Sequence, residues 1–164
     1  MSLPLAAASH LVPSTPMLKL PPPIWALAYV LITAAASYLA GWPRLPGLPL
    51  VPLAVALIVL GIALTVAAAA LFRREGTELN PTSTTNRKLV TSGPFRFTRN
   101  PMYLGLMIVT LGIAFWVGAW PMFLAPVATF ATANWVFVPF EEDKMRNQFG
   151  EAFDAYVGKV RRWM

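Results

Sequence analysis

The sequence predicts an all-α, polytopic membrane protein with about four transmembrane helices and a C-terminal amphipathic helix at the cytoplasmic face. The first reason is composition, because 57% of the 164 residues are hydrophobic and only 12% are charged. The mean hydropathy is +0.58, which is not typical of a water-soluble domain. The second reason is that three long stretches, 24–42, 45–72 and 100–140, contain no Asp, Glu, Lys or Arg.

The uncharged stretches also predict which helices cross the membrane. One crossing takes about 20 residues of helix, so the first two stretches hold one span each and the longer third stretch holds two. We expect the spans near residues 24–40, 53–72, 101–117 and 121–140. The chain then divides into a flexible leader (1–23), a first pair of helices (24–72) and a remaining region (73–164).

Membrane topology, rather than nucleic-acid binding, explains the net charge of +6. Six of the thirteen Lys and Arg residues lie within 73–99 and five follow residue 140, whereas the turn near 118–121 has none. By the positive-inside rule, the N-terminus, the middle segment and the C-terminus all lie in the cytoplasm. We therefore expect membrane lipids, and not nucleic acid, as partners.

The chain has no Cys and a single His, which is His10 in the leader. These counts exclude disulfides, a Cys nucleophile and thiolate metal sites, and no metal site is predicted. The leader also lacks the basic n-region of a secretory signal peptide.

The last segment, residues 141–164, changes from uniform to periodic hydrophobicity. Met145, Phe149, Phe153 and Tyr156 recur at intervals of three and four residues, with charged residues between them. This spacing predicts an amphipathic helix. Because it is too charged to cross, we expect it to lie on the cytoplasmic membrane surface or to pack over the middle segment.

The middle segment, residues 73–100, is the first candidate for chemistry, since long loops in compact proteins are usually functional or disordered. Asn100 and Pro101 are typical of a helix start, where Asn caps backbone N–H groups and Pro loses no hydrogen bond. Such a start favours an anion, for example a carboxylate. The alternative is that Arg96 and Arg99 bind lipid phosphates while the nearby aromatic residues lie at the membrane interface.

Glu141 and Glu142 are the second candidate, because two acids at the end of a span are costly near hydrocarbon unless a partner meets them. We expect one of them to point inward and pair with Arg96 or Arg99, or to receive hydroxyl or ammonium groups of a ligand. A purely structural salt bridge is the alternative.

The stretch 89–105, LVTSGPFRFTRNPMYLG, is followed by Glu141-Glu142, then by Phe149-Gly150-Glu151 and Tyr156. These motifs resemble the isoprenylcysteine carboxyl methyltransferase and phospholipid methyltransferase family of integral membrane enzymes, over residues 76–162. The resemblance implies S-adenosylmethionine as methyl donor, bound between the loop 73–100, the spans within 101–140 and the C-terminal helix. The sequence has no Gly-rich dinucleotide fingerprint.

The resemblance also implies site residues. The start of the third span would receive the methionyl carboxylate of the donor, aromatic rings would flank its adenine, and Glu141 would take its ammonium or ribose hydroxyls. Arg99 and Arg161 would orient the acceptor or the donor carboxylate. Because the membrane portion has no His, the candidate bases are Glu141, Glu142, Asp143 or a tyrosine. The implied donor-binding residues are Lys88, Leu89, Val90, Phe95, Asn100, Pro101, Met102, Tyr103 and Glu141.

The acceptor is predicted to be a small lipophilic molecule that arrives from the bilayer between two spans. Many relatives have His where this chain has Asn100, and the residues 134–140 lack the Arg that eukaryotic carboxyl methyltransferases place one turn before the acid. A prenylated cysteine is therefore not the favoured acceptor. Without a membrane His, a carboxylate or thiol acceptor is favoured over an amine, which must first lose a proton.

Two other functions are compatible with this sequence. The chain could be a non-catalytic membrane scaffold of the same fold, which would bind no methyl donor. It could also be an NADPH-dependent lipid reductase, since sterol reductases share a related C-terminal architecture, although this chain is short for a second cofactor site.

Overall fold

The computed structural model describes residues 20–76 and 88–164, and the regular structure within these ranges is helical, without a strand. Most of the predicted leader, including His10, lies outside the described residues, and so does part of the loop 73–100. The expectation of a flexible leader therefore stays a prediction.

Two long helices come first, α1 (Pro22–Leu39) and α2 (Val51–Arg74). Each has Pro in its first turn, where a backbone N–H would make no hydrogen bond within the helix, so its absence costs nothing. Most of their apolar side chains face outward, as Leu31 and Val59 do. Outward-facing apolar side chains are expected of helices whose surroundings are lipid.

The third helix, α3, runs from Pro101 to Val117. It ends at Gly118, whose φ of 74° lies in the left-handed region that glycine adopts without strain. The helix α3 packs against α2 on one side and against α1 and the next helix on the other. It is therefore the central helix of the bundle.

A 30-residue helical rod follows, Trp120–Phe149. It contains a 3₁₀ turn, then α4 (Leu124–Thr132), a π-turn (Ala133–Phe137) and α5 (Val138–Phe149). The π-turn comes directly before Pro139, whose nitrogen has no hydrogen to donate to the carbonyl of the preceding turn. We infer that the wide turn accommodates this missing bond.

Three helices are long and apolar enough to cross a membrane, namely α1, α2 and the rod. Helix α3 is also apolar but has 17 residues, which is near the lower limit for a crossing, about 17 residues. The described chain is thus all-helical with three candidate spans. The predicted fourth crossing depends on α3.

Glycines bring the backbones of α2 and α3 close together. A Cβ atom added at Gly61 would lie 2.5 Å from the carbonyl oxygen of Gly105, and one added at Gly112 would lie 3.0 Å from that of Ala54. Such close approach lets two helices pack tightly where lipid provides no hydrophobic drive. The close neighbour of α2 is therefore α3.

The C-terminal segment differs from the single helix predicted over 141–164. Helix α5 continues the rod through residues 141–149, and the chain then breaks at Gly150, whose φ is 52°. A short helix, α6 (Glu151–Val157), follows, and residues 158–164 form a tail without helix. The periodic residues Phe153 and Tyr156 are buried, so their spacing marks an inward face but not one continuous helix.

The close α2–α3 contact predicts the effect of a single added methyl group. We expect Gly61→Ala to lower the free energy of unfolding by about 1–3 kcal/mol, because overpacking forces the two backbones apart. The matched control is Gly158→Ala, where the added Cβ meets neighbours only at 3.6 Å or more. Thermal unfolding in detergent compares the two variants, and equal midpoints for both would show that the glycine contact is not tight.

Candidate active site

The carboxylate of Glu142 lies between two arginines. Arg99 donates from Nη2 to Oε1 at 2.8 Å. Arg162 donates from Nε to Oε1 at 3.1 Å and from Nη2 to Oε2 at 2.5 Å, which is the two-pronged geometry that makes such pairs strong. The side chains of Glu142 and Arg99 are 15% and 11% exposed. We call these three residues the carboxylate clamp.

The clamp accounts for one prediction and adds a residue that sequence reasoning missed. The prediction that one acid points inward and pairs with Arg96 or Arg99 is confirmed, and the partner is Arg99. The sequence predicts Arg161 as a functional arginine, but Arg161 is exposed and Arg162 lies in the clamp instead. The hydrogen bond with Glu142 raises the pKa of Arg162 above its usual value.

Arg99 is also bound to the backbone of the C-terminal segment. Its Nη1 donates to the carbonyl oxygens of Val157 and Val160, at 3.3 and 3.0 Å, and its backbone N–H donates to Arg161 O at 3.1 Å. Its Nε is buried without a hydrogen-bond partner among the described residues. Arg99 therefore ties the segment before α3 to the tail as well as to α5.

Three further hydrogen bonds hold α6 and the tail against the segment before α3. The Thr98 hydroxyl and the Asn100 side-chain amide both donate to Arg162 O, at 2.9 and 3.0 Å. The Tyr156 hydroxyl donates to Phe95 O at 2.7 Å. Burial raises the pKa of Tyr156 to about 12, although Arg99 opposes the shift, so the phenol stays a donor at neutral pH.

Asn100 occupies the predicted cap position but does not cap the helix with its side chain. The reason is that its amide N–H₂ group is turned to Arg162 O instead. The first turn of α3 consequently has no side-chain cap, and its N–H groups are left to water or to a ligand.

Asn134, on the π-turn, connects the tail to the rod. Its side-chain oxygen accepts from Trp163 Nε1 at 3.0 Å and lies 3.5 Å from Arg162 Nη1. The Trp163 ring packs against Phe130 and against the buried cluster around Tyr103. A polar side chain within a span is costly unless it is paired, and Asn134 is paired through the tail.

Tyr103 and Glu141 form the second polar pair of the site. The Tyr103 hydroxyl donates to Glu141 Oε1 at 2.7 Å, and the tyrosine is 6% exposed. The pair joins the first turn of α3 to α5. It lies one helical turn beyond Phe137, whose ring is 6.0 Å from that of Tyr103.

Most of the remaining residues that are predicted to bind the methyl donor lie on the side of α3 that faces α2. Val90 and Phe95 form a buried cluster with Ala68, and Met102 packs against it. The Phe95 ring stacks on Phe72, with a centroid distance of 4.9 Å and an interplanar angle of 7°. This cluster is apolar and aromatic, as predicted, but one face of Phe95 is covered by Phe72.

Of the other residues predicted to bind the methyl donor, Lys88 and Leu89 lie at the edge of this cluster and Pro101 is buried. Lys88 is exposed and pairs with Glu75, whereas Leu89 is half-buried. Pro101 is buried at the start of α3. The structure thus brings most of the predicted residues around one helix start, and it leaves Lys88 and Arg161 at the surface.

A narrow opening lies between α1, α3 and α4. Its walls are mainly apolar and aromatic, and they include Trp25, Tyr103 and Phe137. Tyr103 belongs both to this wall and to the Tyr103–Glu141 pair. The acceptor path between two spans stays a prediction, and this opening is a candidate for it.

The clamp predicts a local effect of removing one charge. We expect Glu142→Gln to destabilise the tail by about 1.5–3 kcal/mol, the range for hydrogen bonds to charged groups, because both guanidinium groups lose their carboxylate. Trypsin cleavage at the tail, followed by intact mass, should be faster than in the wild type.

The control is the same carboxyl-to-amide change at the neighbouring residue. Asp143 is 78% exposed and lies 3.7 Å from Arg146, so Asp143→Asn should leave tail cleavage unchanged. If the two variants are cleaved at the same rate, the clamp does not hold the tail.

Comparison with known proteins agrees with these features. A family model described as phospholipid methyltransferase matches residues 50–152, which include α2 to α5 and both acids but not the tail arginines. An uncharacterized protein of Haemophilus influenzae is 30% identical over 63 residues, which are 38% of this chain and the full length of that protein. No solved structure shows a significant match.

Proposed function

Because the chain belongs to the phospholipid methyltransferase family, we propose that it transfers a methyl group from S-adenosylmethionine to a small lipophilic or membrane-embedded acceptor. The reaction takes place at the cytoplasmic membrane face. A carboxylate or thiol is the favoured acceptor group. The family match supports methyltransferase activity in a membrane, and the donor, the acceptor and the face are our proposals.

The observation that carries the proposal is the Tyr103–Glu141 pair, whose buried tyrosine also lines the apolar opening. A carboxylate there is costly unless it is bound, and the tyrosine hydroxyl occupies only one of its oxygens. The second oxygen suits an ammonium or ribose hydroxyl of the donor. The opening next to it suits a lipophilic acceptor.

The residues around the start of α3 also suit the binding of S-adenosylmethionine. The uncapped first turn, which begins at Pro101, offers the backbone N–H groups of Met102 and Tyr103 and the positive end of the helix dipole to the methionyl carboxylate. Val90, Phe95 and Met102 offer an apolar wall to the adenine. Lys88, Leu89 and Asn100 adjoin these two surfaces along the chain.

When bound, S-adenosylmethionine supplies a methyl group that leaves as an acceptor lone pair forms the new bond, while the carbon–sulfur bonding pair stays on sulfur. The protein contributes position and a dry pocket. Glu142 is held by three charged hydrogen bonds, so it is a poor proton acceptor. We therefore assign Arg99 and Glu142 a positioning role, and acceptors that need no base are favoured.

We further propose that α3 crosses the membrane, which makes four crossings with both termini in the cytoplasm. Helix α3 is apolar and lies between candidate spans that contact it on two sides. Its start and the end of the rod carry the charged site residues. The bias of Lys and Arg toward this end supports a cytoplasmic site.

Donor binding tests the proposal most simply. We expect calorimetric titration of the detergent-purified protein with S-adenosylhomocysteine to show binding, and Glu141→Gln to weaken it about 10- to 100-fold. The reason is that a hydrogen bond to a charged group is lost, worth about 1.5–3 kcal/mol. The glutamine keeps an oxygen that can accept from Tyr103, so the fold should be retained.

The control is Glu151→Gln, which changes an exposed carboxylate in α6 and should bind like the wild type. A folded wild type that binds no S-adenosylhomocysteine contradicts the proposal and favours a scaffold. Binding of NADPH instead would favour the reductase function.

A further inference from the structure

One hydrogen bond crosses the opening between α1, α3 and α4. The Tyr29 hydroxyl on α1 lies 2.6 Å from Oγ1 of Thr132 on α4, and both residues line the opening. Both side chains are half-buried. The other residues that line the opening are mainly apolar, so these two hydroxyls place polar atoms on a mainly apolar wall.

Thr132 differs from the other threonines of the spans. Each of the others donates its hydroxyl to a carbonyl oxygen of its own helix, as a helical threonine commonly does. Those threonines are Thr33, Thr65, Thr110 and Thr129. Within the described chain, the Thr132 hydroxyl instead bonds only to Tyr29, so it is not committed to its own backbone.

The pair has spare hydrogen-bonding capacity. A hydroxyl has one donor hydrogen and two acceptor lone pairs, and the Tyr29–Thr132 bond uses one donor and one lone pair. One donor hydrogen and three lone pairs remain for a bound molecule. A polar group that enters the opening can therefore both accept from and donate to this pair.

We propose that the Tyr29–Thr132 pair binds a second polar group of the methyl acceptor and so determines acceptor specificity. The acceptor would be a compact amphiphile whose hydroxyl or carbonyl group contacts this pair while its methyl-accepting atom lies toward Tyr103 and Glu141. This inference rests on the proposed methyl transfer.

The walls of the opening indicate which part of the acceptor it suits. They consist mainly of rings and aliphatic side chains. The ring walls of Trp25 and Phe137 favour a flat apolar body.

The experiment uses 2-naphthol and naphthalene as probes, because they share a ring system and differ by one hydroxyl. We expect the full-length protein in detergent, without donor, to bind 2-naphthol about three- to tenfold more tightly than naphthalene, the range for one net hydrogen bond. The double variant Tyr29→Phe, Thr132→Val should lose this preference. Protein-free micelles give the partitioning baseline.

Thr110→Val is the matched control, since Thr110 is a buried threonine of α3 that bonds within its own helix. It should keep the preference for 2-naphthol. The inference is overturned if the double variant keeps the preference, if Thr110→Val loses it, or if the wild type shows none. The same samples are also titrated with S-adenosylhomocysteine. Its binding shows that the variants are folded and tests the proposed donor site separately.

Discussion

The structure depends on how the Glu142 carboxylate is neutralised near the end of the apolar rod. A buried charge is stable only when it is paired and hydrogen-bonded, and Glu142 obtains its partners from Arg99 and Arg162. These arginines belong to segments far apart in sequence, the residues before α3 and the C-terminal tail. One carboxylate therefore joins three parts of the chain, and most other features of the site follow from that junction.

The first consequence is the state of the α3 start. With the tail held beside it, Asn100 and Thr98 bind the carbonyl of Arg162, and the first helical turn is left without a side-chain cap. The second consequence is that the two adjacent acids, Glu141 and Glu142, have different partners. Glu142 is committed to the clamp, whereas Glu141 accepts a hydrogen bond from Tyr103, which also lines the opening. The proposed donor site and the proposed acceptor opening thus share Tyr103.

The sequence predicted the helices well because lipid demands long uncharged segments, and such segments are visible in composition alone. It also predicted that one of the two adjacent acids pairs with Arg96 or Arg99, because a charged residue at a span end needs a partner nearby; the structure shows that the pair is Glu142 and Arg99. It did not predict Arg162, since residues 158–164 are not helical and no periodicity indicates which side chain turns inward. The break at Gly150 and the Tyr29–Thr132 contact were also missed, because both depend on tertiary packing rather than on local pattern.

The most direct test of this account is a distance between the tail and the segment before α3. The chain has no Cys, so cysteines introduced at Phe97, which is 75% exposed, and at the exposed Lys159 can carry two spin labels without background. Electron paramagnetic resonance of the labelled protein in lipid should give one short, narrow distance distribution. A broad distribution at long distances would contradict the account, because the tail would then not be held against α3.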